Sequence, residues 1–217
     1  MDKLLLALTP IAVVLLLSEY LWHKKLLKGE RARKFIHIIA GVWMAFWPFY
    51  LPFDGIFILG FMAVTVLIYS RFTGLFHAIY AVKRKTYGEI FFALAIVLCA
   101  YFGQENWVFT ISILLLAIAD GGAAVAGRLW GATNSYALFG NENLRKSIAG
   151  TIAFLILAYV AVVIGYFVGG EEVLSDNLFI AFLVLPISAT IIENSMPYGL
   201  DNFFTPLFAT VLLNSLL

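Results

Sequence analysis

Charge in this 217-residue chain is confined to alternate gaps between long apolar runs, and that alternation constrains the fold more than any single motif. A helix crossing a bilayer needs about 20 apolar residues. Runs of that order recur at Leu4 to Trp22, Phe35 to Phe53, Gly55 to Ser70, Gly88 to Gly103, Trp107 to Ala126, Ile148 to Val168, Leu178 to Ser195 and, shortest, Phe203 to Leu217. Short loops rich in Lys and Arg face the cytoplasm. With the N-terminus outside, the gaps at 23–34, 71–87, 127–147 and 195–202 lie inside and hold every Lys and Arg except Lys3. The opposite gaps carry Asp2, Asp54, Glu105, Glu171, Glu172 and Asp176. The expected fold is therefore all-α: a polytopic transmembrane helical bundle of about eight spans, with its active-site loops cytoplasmic. Residues 1–217 form a single integral membrane domain whose motif-bearing part runs from 31 to 206.

Composition agrees. The chain is 63% hydrophobic and 12% charged, against about 25% charged for an ordinary soluble domain. The first run is followed by His23-Lys24-Lys25 and lacks a basic start, so it reads as a retained span rather than a signal peptide. A single cysteine, Cys99, excludes an intramolecular disulfide or a zinc cluster. The bilayer is the expected partner and nucleic acid is not; the short loops suggest the cytoplasmic membrane of a bacterium or archaeon.

A carboxylate inside a span costs roughly 2.5 to 3.5 kcal/mol at mid-helix, so each needs a reason. Glu19, Glu89, Asp120 and Glu193 all fall toward the cytoplasmic ends of their runs. The expectation is that they converge on one inward-facing pocket, although Glu19, near Lys24, reads better as a salt-bridged helix end. Asp120 has no cation near it in sequence. Arg33 and His37 are four apart and share a helix face with that spacing. His37 sits inside an apolar run and needs a polar partner, which a phosphate would supply. Residues 71–88 interleave apolar and basic side chains and suggest an interfacial amphipathic helix carrying Lys83, Arg84 and Lys85. Tyr87-Gly88-Glu89 then opens a helix with an acidic residue, as its dipole favours.

Chemistry concentrates between Asp120 and Thr151. Gly121, Gly122, Ala123, Ala124, Ala126 and Gly127 strip the helix of bulk, which in membranes usually means close packing. Asp120 and Arg128 are left unexplained by packing, and a carboxylate two turns from an Arg among glycines suits a divalent metal and a polyphosphate. The later Gly140 to Ser147 segment, ending Arg145-Lys146-Ser147, is not a P-loop, because Arg145 stands at the second glycine and no strand is expected before it. Ser147 is placed to cap the sixth span, and the free N–H groups there, beside Lys146 and Arg145, form an anion site. In the last inner gap, Glu193, Asp201 and Asn202 offer oxygen donors of the kind Mg²⁺ accepts, around a turn shaped by Pro197 and Gly199.

Arg33-Lys34-x-x-His37, Tyr87-Gly88-Glu89, Asp120-Gly-x-Ala-Ala-x-x-Gly127-Arg128-x-x-Gly131, Lys146-Ser147-x-x-Gly150 and Glu193 with Gly199-x-Asp201-Asn202 and Pro206, taken in order, resemble the dolichol kinase, phytol kinase and CTP-dependent diacylglycerol kinase family. Ala149 departs from the pattern, standing where that family often has Glu. The resemblance implies transfer of the γ-phosphoryl group of CTP, with Mg²⁺ or another divalent cation, to a membrane lipid alcohol. The alcohol would be an isoprenoid (polyprenol, phytol or geranylgeraniol) or diacylglycerol. On this reading Asp120, His37 and Lys146 are catalytic; Arg33, Lys34, Gly121, Gly127, Arg128, Arg145, Lys146, Ser147 and Gly150 bind the nucleotide phosphates; Asp120, Glu193, Asp201 and Asn202 hold the metal; Glu89 belongs to the site. Two other readings stand beside it: a phosphatidate cytidylyltransferase making a CDP-lipid, and a transporter, which should show repeats and midplane polar groups. The oligomeric state is not set by the sequence.

Overall fold

The computed structural model describes residues 2–80, 86–103, 105–169 and 176–216. The elements run α1 (Asp2–His23), α2 (Glu30–Ala45), a 3-10 turn (Trp47–Phe49), α3 (Phe53–Thr73), α4 (His77–Tyr80), α5 (Gly88–Phe102) and α6 (Asn106–Leu114). A π-helical turn (Leu115–Asp120) joins α6 without a break to α7 (Gly121–Trp130). Then come β1 (Ser135–Leu138), β2 (Asn141–Ser147), α8 (Ile148–Gly169), α9 (Asp176–Ser195) and α10 (Asp201–Asn214). The regular structure among the described residues is thus helical apart from one antiparallel hairpin, which falls in what reads from sequence as the loop 127–147.

Among the described residues, four helices are long and apolar enough to cross a membrane: Lys3–His23, Phe53–Thr73, Asn106–Trp130 and Ile148–Gly169. Gly88–Phe102 and Ala181–Ser195 are apolar but shorter. The run Phe35 to Phe53 is not one helix. It breaks after Ala45, because Pro48 has no N–H to donate and disfavours the helical conformation at Trp47.

The helix from Asn106 to Trp130 is the axis of the bundle, 72% buried where the other three long helices are 17–28% buried. Phe109, Ile111, Leu114, Leu115 and Leu116 on it meet Ile96 of α5, Phe154 of α8, Leu185 of α9 and Leu213 of α10 in one core. Lipid tails are as apolar as these side chains, so fit rather than hydrophobic transfer holds such helices together. Fit is visible where backbones approach. A methyl at Gly41 of α2 would lie 2.6 Å from Ala117 Cβ, and one at Gly60 of α3 would lie 2.9 Å from Val97 of α5. Gly121 leaves the space that Ile38 fills, and Gly122 leaves that of Leu157.

Candidate active site

Five chain segments meet around Asp120, just past the middle of the axial helix. The first turns of α2 bring Arg33, Lys34 and His37, all with largely buried side chains. The π turn brings Asp120. The C-terminal end of α9 brings Glu193, the start of α10 brings Asp201 and Asn202, and the hairpin brings Lys146. Single carboxylate oxygens of Asp120, Glu193 and Asp201 all lie within 4.8 Å of one another.

The π turn explains how Asp120 and His37 meet. Such a turn shifts the hydrogen-bond ladder by one residue, and π turns occur frequently at functional sites. His37 Nε2 lies 2.7 Å from the Leu116 carbonyl oxygen and 3.0 Å from Asp120 Oδ2. A carbonyl oxygen can only accept, so Nε2 carries a proton. The polar partner His37 requires is therefore protein. Asp120, isolated in sequence, gains its cation in space: Lys34, one turn before His37 on α2, donates to Asp120 Oδ2.

On the other side, Lys146 donates to the Glu193 carboxylate, to the Glu193 carbonyl oxygen at 2.9 Å and to Asp201 Oδ2 at 3.4 Å. Burial alone would lower the pKa of this ammonium, but the charges of Glu193 and Asp201 together outweigh burial and raise it above its ordinary value. Lys146 is thus firmly cationic at neutral pH. Three carboxylates face two ammonium groups, which leaves one net negative charge when all are ionised.

The hairpin is what delivers Lys146. Tyr136 on β1 is its cross-strand partner. The Tyr136 hydroxyl lies 2.8 Å from Thr151 Oγ1 of α8 and donates to Asn194 Oδ1 of α9, also at 2.8 Å. That node ties the hairpin to the two helices flanking Lys146 and Glu193. The hairpin turns at Phe139 (φ 51°) and Gly140 (φ 70°), both left-handed as a two-residue I′ turn requires. Ser147 closes it and caps α8 as expected, its Oγ accepting from Gly150 N at 3.1 Å.

Behind the carboxylates, Asn202 Nδ2 donates to the Gly88 carbonyl at 2.9 Å, and Arg33 binds Glu30 through Nε at 3.1 Å and Nη2 at 2.9 Å. A methyl on Gly88 would meet Asn202 Nδ2 at 2.7 Å and Arg33 Nη1 at 2.9 Å.

Other expected site residues make different contacts. Glu89 pairs with Arg71, whose guanidinium stacks 4.4 Å over the Tyr87 ring. Glu19 does not join the cluster and does not pair with Lys24. It accepts from His77 Nδ1 at 2.8 Å and from the backbone N–H of His77 and Ala78, and so caps α4. Gly127 and Gly150 let α7 and α8 cross: a methyl on Gly127 would come 2.9 Å from Ser147 Oγ, and one on Gly150 3.1 Å from the Ala123 carbonyl. Arg145 donates to Ser135 Oγ at 2.8 Å. Arg128 is exposed at the end of α7 and makes no ion pair among the described residues. Lys83, Arg84 and Lys85 lie outside the described residues; of the expected amphipathic segment, the short α4 is described.

Sequence reasoning did not find Tyr136, Thr151 and Asn194. Asn194 carried a usable signal, a polar amide beside Glu193 near the end of an apolar run. An apolar cavity of about 260 Å³ between α1 and α2, lined by Val14, Ile39, Ala40, Trp43 and Phe46 among others, is not part of this site. At 3.6 residues per turn its α2 lining faces away from Lys34 and His37.

No family model matches the chain, and no solved structure matches it. Over 213 residues the chain is 30% identical to the phytol kinase of Synechocystis sp., an alignment covering 93% of this chain and 86% of that one. The chain is therefore a membrane-embedded phosphotransferase with an alcohol acceptor, a member of the polyprenol and phytol kinase family.

Proposed function

We propose that this enzyme transfers the γ-phosphoryl group of CTP to a membrane isoprenoid alcohol, of which phytol, the substrate in the relative's name, is the leading candidate. The observation that carries this reading is the cluster of three carboxylates and two lysines gathered around Asp120 on the axial helix. Phosphoryl transfer asks a protein mainly for positioning and charge neutralisation. The alcohol oxygen attacks the γ-phosphorus, the bond to the β-phosphate oxygen breaks, CDP leaves, and the hydroxyl proton passes to a carboxylate of the site or to water. Lys34, Lys146 and Arg33, with Arg128 and Arg145 further out, meet the phosphate oxygens.

Hard carboxylate oxygens gathered within 4.8 Å suit Mg²⁺. Asp120, Glu193 and Asp201 would hold it, with the Asn202 side-chain oxygen beside them. When bound, the cation withdraws charge from the phosphoryl oxygens. His37, committed through Nε2–H to Asp120 and Leu116, orients Asp120 and is not a base through that nitrogen.

We read the chain as about eight spans with the N-terminus outside, an arrangement in which this cluster opens to the cytoplasmic face, where the nucleotide is. The alcohol's hydrocarbon tail stays between helices and its hydroxyl reaches the interface. The test is a reaction of purified protein with Mg²⁺, a panel of lipid alcohols and phosphatidic acid, run with CTP labelled at the γ- or the α-phosphate. γ-Label in a phosphorylated isoprenoid is the expected result. α-Label appearing only with phosphatidic acid would mean a cytidylyltransferase, and γ-label only in diacylglycerol would correct the acceptor.

A further inference from the structure

The ion pairs of the cluster pose a problem for any cation that binds there. Lys34 lies on Asp120, and Lys146 lies on Glu193 and 3.4 Å from Asp201. All three carboxylates therefore have an ammonium ion against them, and a divalent cation among the same oxygens would lie against two like charges. Both cations are lysines, whose long flexible stems let the head group move while the backbone stays fixed. Lys146 keeps 21% of its side chain exposed on the hairpin, whereas Lys34 is 8% exposed in α2.

We propose that Lys34 and Lys146 are the resting counter-ions of the metal-binding carboxylates, displaced onto the nucleotide phosphates when substrate binds. This rests on the kinase reading of the site and adds an order of events to it. Without nucleotide, the lysines hold the carboxylates in place and weaken divalent binding. With nucleotide, the phosphates draw the lysines off, three carboxylates are left facing one another, and the cation enters. Nucleotide and cation thus favour one another through the lysines, and by linkage the effect is reciprocal.

Cooperativity in the parent protein is not diagnostic, because nucleotide phosphates also bind the cation directly. The nucleotide-free arm is. Mn²⁺ binding to the purified full-length protein would be measured by electron paramagnetic resonance without nucleotide, then with CTP and a correction for the complex formed in solution. Lys34→Met and Lys146→Met are expected to bind Mn²⁺ alone about tenfold more tightly than the parent, within the roughly 5- to 150-fold range of coupled sites. CTP should then add less. Lys28→Met, which removes an equal charge from an exposed position, should leave Mn²⁺ affinity unchanged. A variant that does not fold without metal should recover on adding Mn²⁺, the cation replacing the ammonium; failure to recover counts against the exchange. Folded lysine variants that bind Mn²⁺ no better than the parent overturn it. If the parent binds neither Mn²⁺ nor CTP, the kinase reading of the site fails as well.

Discussion

Gly199 combines a left-handed backbone with neighbouring backbone atoms that leave no room for a side chain. Its φ is +89°, and a Cβ placed on it would lie 2.7 Å from Gly88 Cα, 2.8 Å from Gly88 N and 2.8 Å from Thr86 Oγ1. The first two are backbone atoms at the start of α5 and cannot rotate away. A left-handed conformation costs an L-residue about 1–2 kcal/mol, and overpacking a tight contact adds about 1–3 kcal/mol. Gly199→Ala should therefore destabilise the protein by about 2–5 kcal/mol, a fall in Tm of roughly 4–20 °C at about 2–4 °C per kcal/mol for this size. Gly140 supplies the control. It too is left-handed, at φ +70°, but nothing lies within 4 Å of its added Cβ. Gly140→Ala should cost the conformational part alone, about 1–2 kcal/mol. Thermal unfolding of both variants in the same detergent separates the two contributions. Gly199 lies two residues before Asp201, so its variant should also lose kinase activity out of proportion to the folded fraction. Equal Tm values for the two variants, with activity intact in Gly199→Ala, would refute the claim that the α5 start and the α9–α10 turn are locked together.

Tyr136→Phe removes the hydroxyl that links the hairpin to Thr151 and Asn194, at a cost of about 0.5–1.5 kcal/mol. It should raise the KM for nucleotide several-fold and leave that for the alcohol unchanged, which initial rates with each substrate varied will show. Phe139 is 79% exposed and left-handed, so Phe139→Asn, the residue an I′ turn prefers, should raise Tm with little packing lost. The raised pKa of Lys146 sets a sign for alkaline stability. The stabilisation is fully present below the ordinary lysine value of 10.5 and is lost as pH climbs through the higher folded value. Lys146→Met should flatten that alkaline limb of a Tm against pH profile; a limb of unchanged depth would assign it to another group.

Much of the bundle is legible in the sequence because membrane helices announce themselves by length and hydropathy. Asp120 and Glu193 could be grouped as carboxylates at the same end of their runs, with Asp201 as an oxygen donor in the adjoining inner gap, and the structure brings these three together. Glu19 and Glu89 share that property yet do not join those three, since a partner such as His77 or Arg71 is fixed by tertiary contact and leaves no trace in local spacing. Lys34 was visible as a basic residue, but its pairing with Asp120 spans a sequence separation of 86 residues. The π turn was not legible: its Leu115 to Asp120 run reads as ordinary helix, and the shifted ladder shows only where His37 takes the Leu116 carbonyl. The hairpin was missed because β1 is four residues long, its turn is Phe-Gly rather than Asn-Gly, and the strands sit in a polar gap that reads as loop. The glycines of α7 were visible, but composition does not separate room for phosphate from room for a neighbouring helix. Ile38, Leu157 and Ser147 occupy that room.

The central claim is that the cluster around Asp120 performs phosphoryl transfer to a lipid alcohol. Its most direct test is the initial rate of γ-label transfer from CTP to isoprenoid alcohol by Asp120→Asn, beside the parent at matched folded concentration. Asn keeps the shape and removes the charge that faces Lys34 and His37. The expected result is a fall of at least about 10²-fold, the order of a lost electrostatic contact to a transition state. A folded Asp120→Asn enzyme that transfers the label at the parent's rate would contradict the account.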